Sequence, residues 1–193
     1  MHDRLQRALS RSDLSQFLIH LTKDHFTYGN SFDVLRSILS MRKVEASKVE
    51  YLVRYDQVGA ACFYDVPPQN WQHLVSTNPN GRKGYGIIVD KTDFWLKGGR
   101  PVIYTDYKDL DYWPILERYR LSYLNLSREP NPPSDWTHER EWRFRGDFIL
   151  NGDYWCPCVE KLMDANSIFC EYKDVYWVYI LELSKFLERK KVV

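Results

Sequence analysis

"THEREWRFRGDF", residues 137–148, is the stretch on which the reading of this chain turns. After Glu139 and Glu141, apolar and charged residues alternate. Trp142 and Phe144 fall on one parity, Arg143 and Arg145 on the other. Side chains two apart in a β-strand share a face. The alternation therefore predicts a strand over about 139–149, with both glutamates on the arginine side and opposite the aromatic residues. Two carboxylates on one face form either a solvated edge or one wall of a cleft. In a cleft, one can anchor a sugar hydroxyl while the other accepts a proton or holds a cation in place. Periodicity is compatible with both. A second register also fits, in which the strand begins at Glu141 and Glu139 belongs to the preceding loop.

Working outward, "REPNPPSDWTH" before this stretch carries three prolines and is irregular. Residues 109–127 place Ile115, Tyr119, Ser122 and Leu126 at helical spacing with Pro114 near the first turn, which predicts a long helix. "RPVIYTD" predicts a strand with Pro101 at its start, "KTDFWLKGG" a short helix ended by glycine, and "YGIIVD" a buried strand. "AACFYDVP" is a strand halted by Pro67 and Pro68. "VEASKVEYLVRYDQVG" remains open between strand, short helix and loop. "FDVLRSILSMRK" carries one apolar stripe and is capped by Asn30 or Ser31, and "FLIHLT" is the first strand. Downstream, "VYWVYILE" predicts the last strand and "LSKFLERKK" a charged C-terminal helix. This order predicts an α+β fold with a mixed, mostly antiparallel sheet, split or sharply curved around a central cleft and flanked by helices. No repeat or linker divides the chain, so one domain over 1–193 is expected.

Composition narrows the function. The net charge of +1 carries no bulk cationic footprint of the kind nucleic-acid binders usually show. No apolar run is long enough for a membrane span, and "MHDRLQRALSRSDLSQ" is too polar for a secretion signal, so a cytoplasmic protein without membrane contact is expected. The four cysteines include Cys156 and Cys158 as C-P-C, which is neither a redox C-x-x-C nor half of a zinc ribbon. Reduced thiols and no metal site are expected. Phosphate-loop, dinucleotide-fingerprint, zincin, nucleophile-elbow and kinase motifs are all missing. A Cys–His nucleophile pair stays open.

The remaining candidates lie on predicted strands. His20 and Thr22 share a face, pairing a ring nitrogen with a hydroxyl that can hold a ribose or a carboxamide. Phe63, Tyr64 and Tyr85 are rings able to flank a flat cation, or simply to fill the core.

A histidine on the first strand, aromatic residues on later strands and E-x-E at a late strand together resemble ADP-ribosyltransferases of the histidine–aromatic–glutamate, diphtheria-toxin-like branch. "FLIHLT", "CFYDVP" and "EREW" carry that resemblance. "SDLSQFLIHLTKD", "VGAACFYDVP", "KGYGIIVDKTDFWLKGGRPVIY" and "HEREWRF" resemble the AbiGi-type abortive-infection proteins of bacterial phage defence, and the motif order is similar to that of DarT-like toxins. The aromatic strand reads "CFYD" where poly-ADP-ribose polymerases have Tyr-Phe-Ala, leaving open which ring stacks.

The resemblance implies NAD as co-substrate and Glu141 as the catalytic glutamate. Glu139 would orient or deprotonate the acceptor, and His20 would hold a ribose with Thr22 nearby. Phe63, Tyr64 and Tyr85 would contribute to the nicotinamide site. Arg54 is assigned to the pyrophosphate. The implied function is an ADP-ribosyltransferase toxin that modifies RNA or DNA and is held by a protein antitoxin. Exposed Arg and Lys in "NGRKG" and "LKGGR" favour a nucleic-acid acceptor. Two other readings remain. One is a non-enzymatic, antitoxin-like or regulatory module on a transferase-like fold. The other is a metal-dependent nuclease built on Glu139, Glu141 and Asp147.

Overall fold

The computed structural model describes residues 15–47, 58–77, 81–124, 126, 135 and 137–189. The first strand, β1 (Phe17–Lys23), alternates between two buried faces: Leu18 joins one apolar cluster, while Ile19 and Leu21 join another. Helix α1 (Ser31–Met41) follows, with Asn30 as its cap. The Asn30 side chain accepts from the amides of Phe32 and Asp33, which satisfies two of the donors a helix start leaves open. Arg42 turns the chain out of the helix in the left-handed region, at φ 55°.

Next come β2 (Lys43–Val44), β3 (Ala60–Tyr64), α2 (Trp71–Thr77) and β4 (Arg82–Asp90). Helix α3 (Lys91–Leu96) is capped by Asp90, whose side chain accepts from the Asp93 amide at 2.8 Å. The stretch expected as one strand over 100–106 is two short ones, β5 (Arg100–Pro101) and β6 (Ile103–Thr105). The two join different partners, strands at Glu141–Arg145 and Leu121–Tyr123 respectively.

The long helix expected over 109–127 does not form. Residues 107–112 and 115–120 make two 3₁₀ turns, and β7 (Leu121–Tyr123) pairs in parallel with β6. Pro114 lacks an amide donor and disfavours helix at Trp113, so the spacing is cut before it can propagate. Leu121 and Ser122 are then buried in the strand pair.

Strand β8 (Glu141–Arg145) begins at Glu141, which selects the second of the two registers. After it come β9 (Phe148–Ile149), β10 (Trp155–Val159), α4 (Leu162–Glu171), β11 (Trp177–Ile180) and β12 (Lys185–Glu188). The expected C-terminal helix is therefore a strand. The chain reverses over 181–184, with Ser184 at φ 47°, and β12 pairs antiparallel with β11. The open edge of β11 offers ladder hydrogen bonds, and Phe186 packs edge-on against Tyr179 at 5.0 Å.

The fold is α+β. Its eight-stranded sheet has the order β12-β11-β10-β4-β1-β3-β8-β5. All neighbouring pairs in it are antiparallel except β10 and β11, which α4 joins as a crossover. Leu35, Ile38 and Leu39 of α1, Phe94 of α3 and Ile168 of α4 pack with Leu18, Phe63, Ile87 and Val89 of the sheet. Trp71 of α2 packs with Ile19, Leu21, Ile88 and Tyr179. Among the described residues, no helix is long and apolar enough to cross a membrane.

Candidate functional site

The sheet opens between β1 and β3. These strands pair only at Ile19–Tyr64, after which the ladder stops although both continue. On the other side of β1 the register with β4 slips between Leu21 and Lys23. The end of β1 is thus released from β3 and only irregularly paired with β4, and its side chains meet backbone carbonyls nearby. His20 Nδ1 lies 2.8 Å from the Cys62 carbonyl. Thr22 Oγ1 approaches the carbonyls of Ser31 and Tyr85 at 2.8 and 3.0 Å.

A cleft of about 370 Å³ occupies this opening. Its walls include His20 and Thr22 of β1, Cys62 and Tyr64 of β3, Arg82 of β4, and Glu141 and Arg143 of β8. The β3–β8 register pairs Tyr64 with Glu141 and Cys62 with Arg143 directly across the ladder. Partners so placed have Cβ atoms about 5 Å apart on one face.

The electrostatics of the cleft follow from burial and pairing. A carbonyl only accepts, so His20 Nδ1 carries the hydrogen and Nε2 is left as an acceptor. Burial, with a contribution from Arg82, pushes the His20 ring down to about 4, and it is neutral at physiological pH. Arg143 is buried. Its Nη2 donates to Glu141 Oε2 at 2.8 Å, and its Nη1 to the carbonyls of Tyr119 and Leu121 at 3.0 and 2.7 Å. The Glu141 carboxylate is thereby fixed in direction. Burial and the nearby Glu141 carboxylate push the Cys62 thiol well above its ordinary range. His20 meets the Cys62 carbonyl, so the two do not form a thiolate–imidazole pair.

Arg82 is the residue that sequence reasoning missed. Its guanidinium lies 4.9 Å from the centre of the Tyr64 ring. Its buried Nη1 has no hydrogen-bond partner among the described residues, and Glu139 Oε1 is 3.7 Å away. A buried cationic donor lacking a hydrogen bond beside an open cavity suits an anionic ligand group. From composition, "NGRKG" is a loop whose exposed Arg and Lys face a nucleic-acid acceptor; Arg82 instead opens β4 and is only partly exposed, turned toward the cleft. Arg54, assigned to that task from the sequence, lies outside the described residues.

The structure brings His20, Thr22, Tyr64 and Glu141 together in the cleft and places the other candidates elsewhere. Glu139 sits in a 3₁₀ turn (Thr137–Glu139), separated from β8 by Arg140 at φ 45°. The two glutamates do not occupy alternate positions of one strand. Glu139 is buried, with the Tyr64 hydroxyl 3.4 Å from its Oε1. Phe63 is on the opposite face of β3 and fully buried against Phe94 and Phe148. Tyr85 faces α1 and α4, 5.1 Å from the Phe32 ring, and donates to Asp164 at 3.1 Å. Both rings lie outside the cleft lining because β-strand parity turns them into the core.

Comparison with known proteins adds no relative: no family model, no curated protein and no solved structure matches the chain.

The four cysteines are free, and among the described residues no group of three His, Cys, Asp or Glu side chains is placed to hold a metal ion. The nuclease reading needs Asp147 beside the glutamates. Asp147 instead binds Lys43 Nζ and the Ala46 amide, both at 2.8 Å.

Proposed function

We propose that the chain is an NAD-dependent ADP-ribosyltransferase toxin of a bacterial anti-phage system, either abortive infection or toxin–antitoxin, and that its acceptor is RNA or DNA. The observation that carries this reading is the meeting of His20, Thr22, Tyr64 and Glu141, drawn from three strands, in one cleft. Its volume lies at the lower end of the roughly 300–1,000 Å³ of small-molecule and cofactor sites.

The roles follow from the chemistry of the side chains. Glu141 accepts from the 2′-hydroxyl of the nicotinamide ribose. It stabilises the positive charge on that ribose as the bond to nicotinamide breaks and the electron pair leaves with nicotinamide. Arg143 positions this carboxylate. Neutral His20 accepts a ribose hydroxyl through Nε2, and the Tyr64 ring borders the same space. Arg82 takes the pyrophosphate, the task assigned earlier to Arg54. Glu139 acts as a positioning residue through Tyr64 and Arg82. Exposed apolar side chains, Phe26, Leu96 and Tyr112 among them, offer surface to a protein antitoxin.

One observation favours a second reading. The ion pair with Arg143 already occupies one oxygen of Glu141, as suits a transferase-like fold kept as a regulatory module. Thermal unfolding with and without NAD, joined to a growth assay, separates the two. The transferase reading expects NAD to raise the melting temperature of wild type and of Glu141→Gln, with Glu141→Gln no longer toxic. Toxicity that survives Glu141→Gln contradicts it.

A further inference from the structure

A second cavity, of about 350 Å³, shares none of its described lining residues with the cleft. Side-chain parity explains the separation. His20 stands on one face of β1, and Phe17 and Ile19 stand on the other. Phe17 is paired with Asp90 of β4, Ile88 with Cys156 of β10, and Phe186 of β12 with Tyr179 of β11. Phe17, Ile88, Cys156 and Phe186 line this cavity together with Tyr154 and Trp177. We infer that it is a binding site for a small organic cation, a quaternary or protonated amine on an apolar body. The inference goes beyond the reading of the cleft and does not depend on it.

The shape comes from the sheet and from the helix that covers it. Phe17 and Phe186 are four strand steps apart, which is about 19 Å in a flat sheet, yet their ring centroids are 5.9 Å apart. The sheet therefore curls, and the two rings meet across a concave face. Helix α2 covers this face with Trp71 but has only seven residues, a length of about 10 Å. Beyond its reach the apolar face stays open, and Tyr154, Trp177 and Phe186 are exposed.

Two observations select a cation. Four rings, Phe17, Tyr154, Trp177 and Phe186, line the cavity, and the negative face of an aromatic ring attracts a cation placed over it. The charged groups are all acidic: Asp90 and Asp153 line the cavity, and no Lys, Arg or His is among the described residues that do. Asp90 keeps one oxygen on the Asp93 amide at 2.8 Å. Asp153 is exposed, and its side chain makes no hydrogen bond or ion pair among the described residues. Glu188 adds a third carboxylate directly across from Trp177. The neighbouring cations are engaged elsewhere, Lys91 with Asp65 at 2.7 Å and Arg189 with the carbonyls of Val175 and Tyr172. An anion would meet like charge here, and a neutral molecule would leave the carboxylates unused. The volume lies at the lower end of the roughly 300–1,000 Å³ of small-molecule sites, which favours a free amine over a peptide.

The test is calorimetric titration of the full chain with three compounds of similar shape and different charge: phenethylammonium, phenethyl alcohol and phenylacetate. Wild type should bind phenethylammonium at least tenfold more tightly than the other two. Asp153→Asn and Trp177→Leu should each weaken that binding at least fivefold. Because Asp153 is exposed and makes no contact that folding needs, Asp153→Asn should melt as wild type does, and it decides alone if Trp177→Leu does not fold. Equal binding of the alcohol and the ammonium overturns the assignment to a cation. No binding of phenethylammonium, or binding that a folded variant leaves unchanged, overturns the site. A trilysine peptide that binds where phenethylammonium does not assigns the cavity to the side chain of a protein partner and overturns the small-molecule reading. NAD is absent throughout, so failure here leaves the transferase reading of the cleft untouched.

Discussion

Arg143 and Glu141 depend on one another. Arg143 is buried and satisfies one carboxylate and two carbonyls. Arg143→Ala strands Glu141 as a poorly compensated charge and leaves the Tyr119 and Leu121 carbonyls without their donor. A loss of about 3–5 kcal/mol is expected, measured by denaturant unfolding. Arg82→Ala acts differently, because its Nη1 makes no hydrogen bond. Because the buried Glu139 carboxylate 3.7 Å away loses this cation, the substitution should also cost stability, though less than Arg143→Ala, and it should raise the KM for NAD at least tenfold, measured by denaturant unfolding and steady-state kinetics. His20 gives a pH signature. Its folded value is about 4, below the ordinary 6.5. As pH falls from 6.5 to 4, the unfolded chain takes up a proton that the folded ring refuses. Stability is lost across that window, and the effect is absent above it. Melting temperatures from pH 7 to 4 should fall more steeply for wild type than for the non-titrating His20→Gln.

At the scale of elements, the slipped pairing of β1 shapes the cleft, and Gly86 makes it possible. A Cβ at Gly86 would come within 2.0 Å of the His20 carbonyl oxygen, inside any contact a side chain can make. Gly86→Ala should therefore destabilise by roughly 1–3 kcal/mol or more and displace His20. Chemical denaturation measures the first effect, and NAD affinity the second. Local chemistry made several elements legible in the sequence. The Asn30 or Ser31 cap and apolar stripe marked α1, and the glycines that follow marked the end of α3. Alternation marked β8, and of the two registers it allowed, the structure takes the later. Elements that depend on tertiary partners were not legible. The expectation for residues 109–127 and 183–191 is helix, yet within them Leu121–Tyr123 and Lys185–Glu188 pair as strands with partners that only the assembled fold provides. For the cleft, parity alone separates Tyr64 from Phe63. Arg82 was hidden because a loop-like composition says nothing of a strand that starts there.

At the scale of the molecule, the central claim is that four side chains spread from residue 20 to residue 141 form one site that cleaves NAD. The most direct test is release of nicotinamide from NAD by wild type and by Glu141→Gln, with RNA, DNA and cell lysate as acceptors. The account predicts release by wild type, stimulated by a nucleic acid, and a loss of at least a hundredfold in Glu141→Gln, the scale on which a single charge-stabilising group acts. Folded wild-type protein that releases no nicotinamide with any acceptor, or equal release by Glu141→Gln, would contradict it.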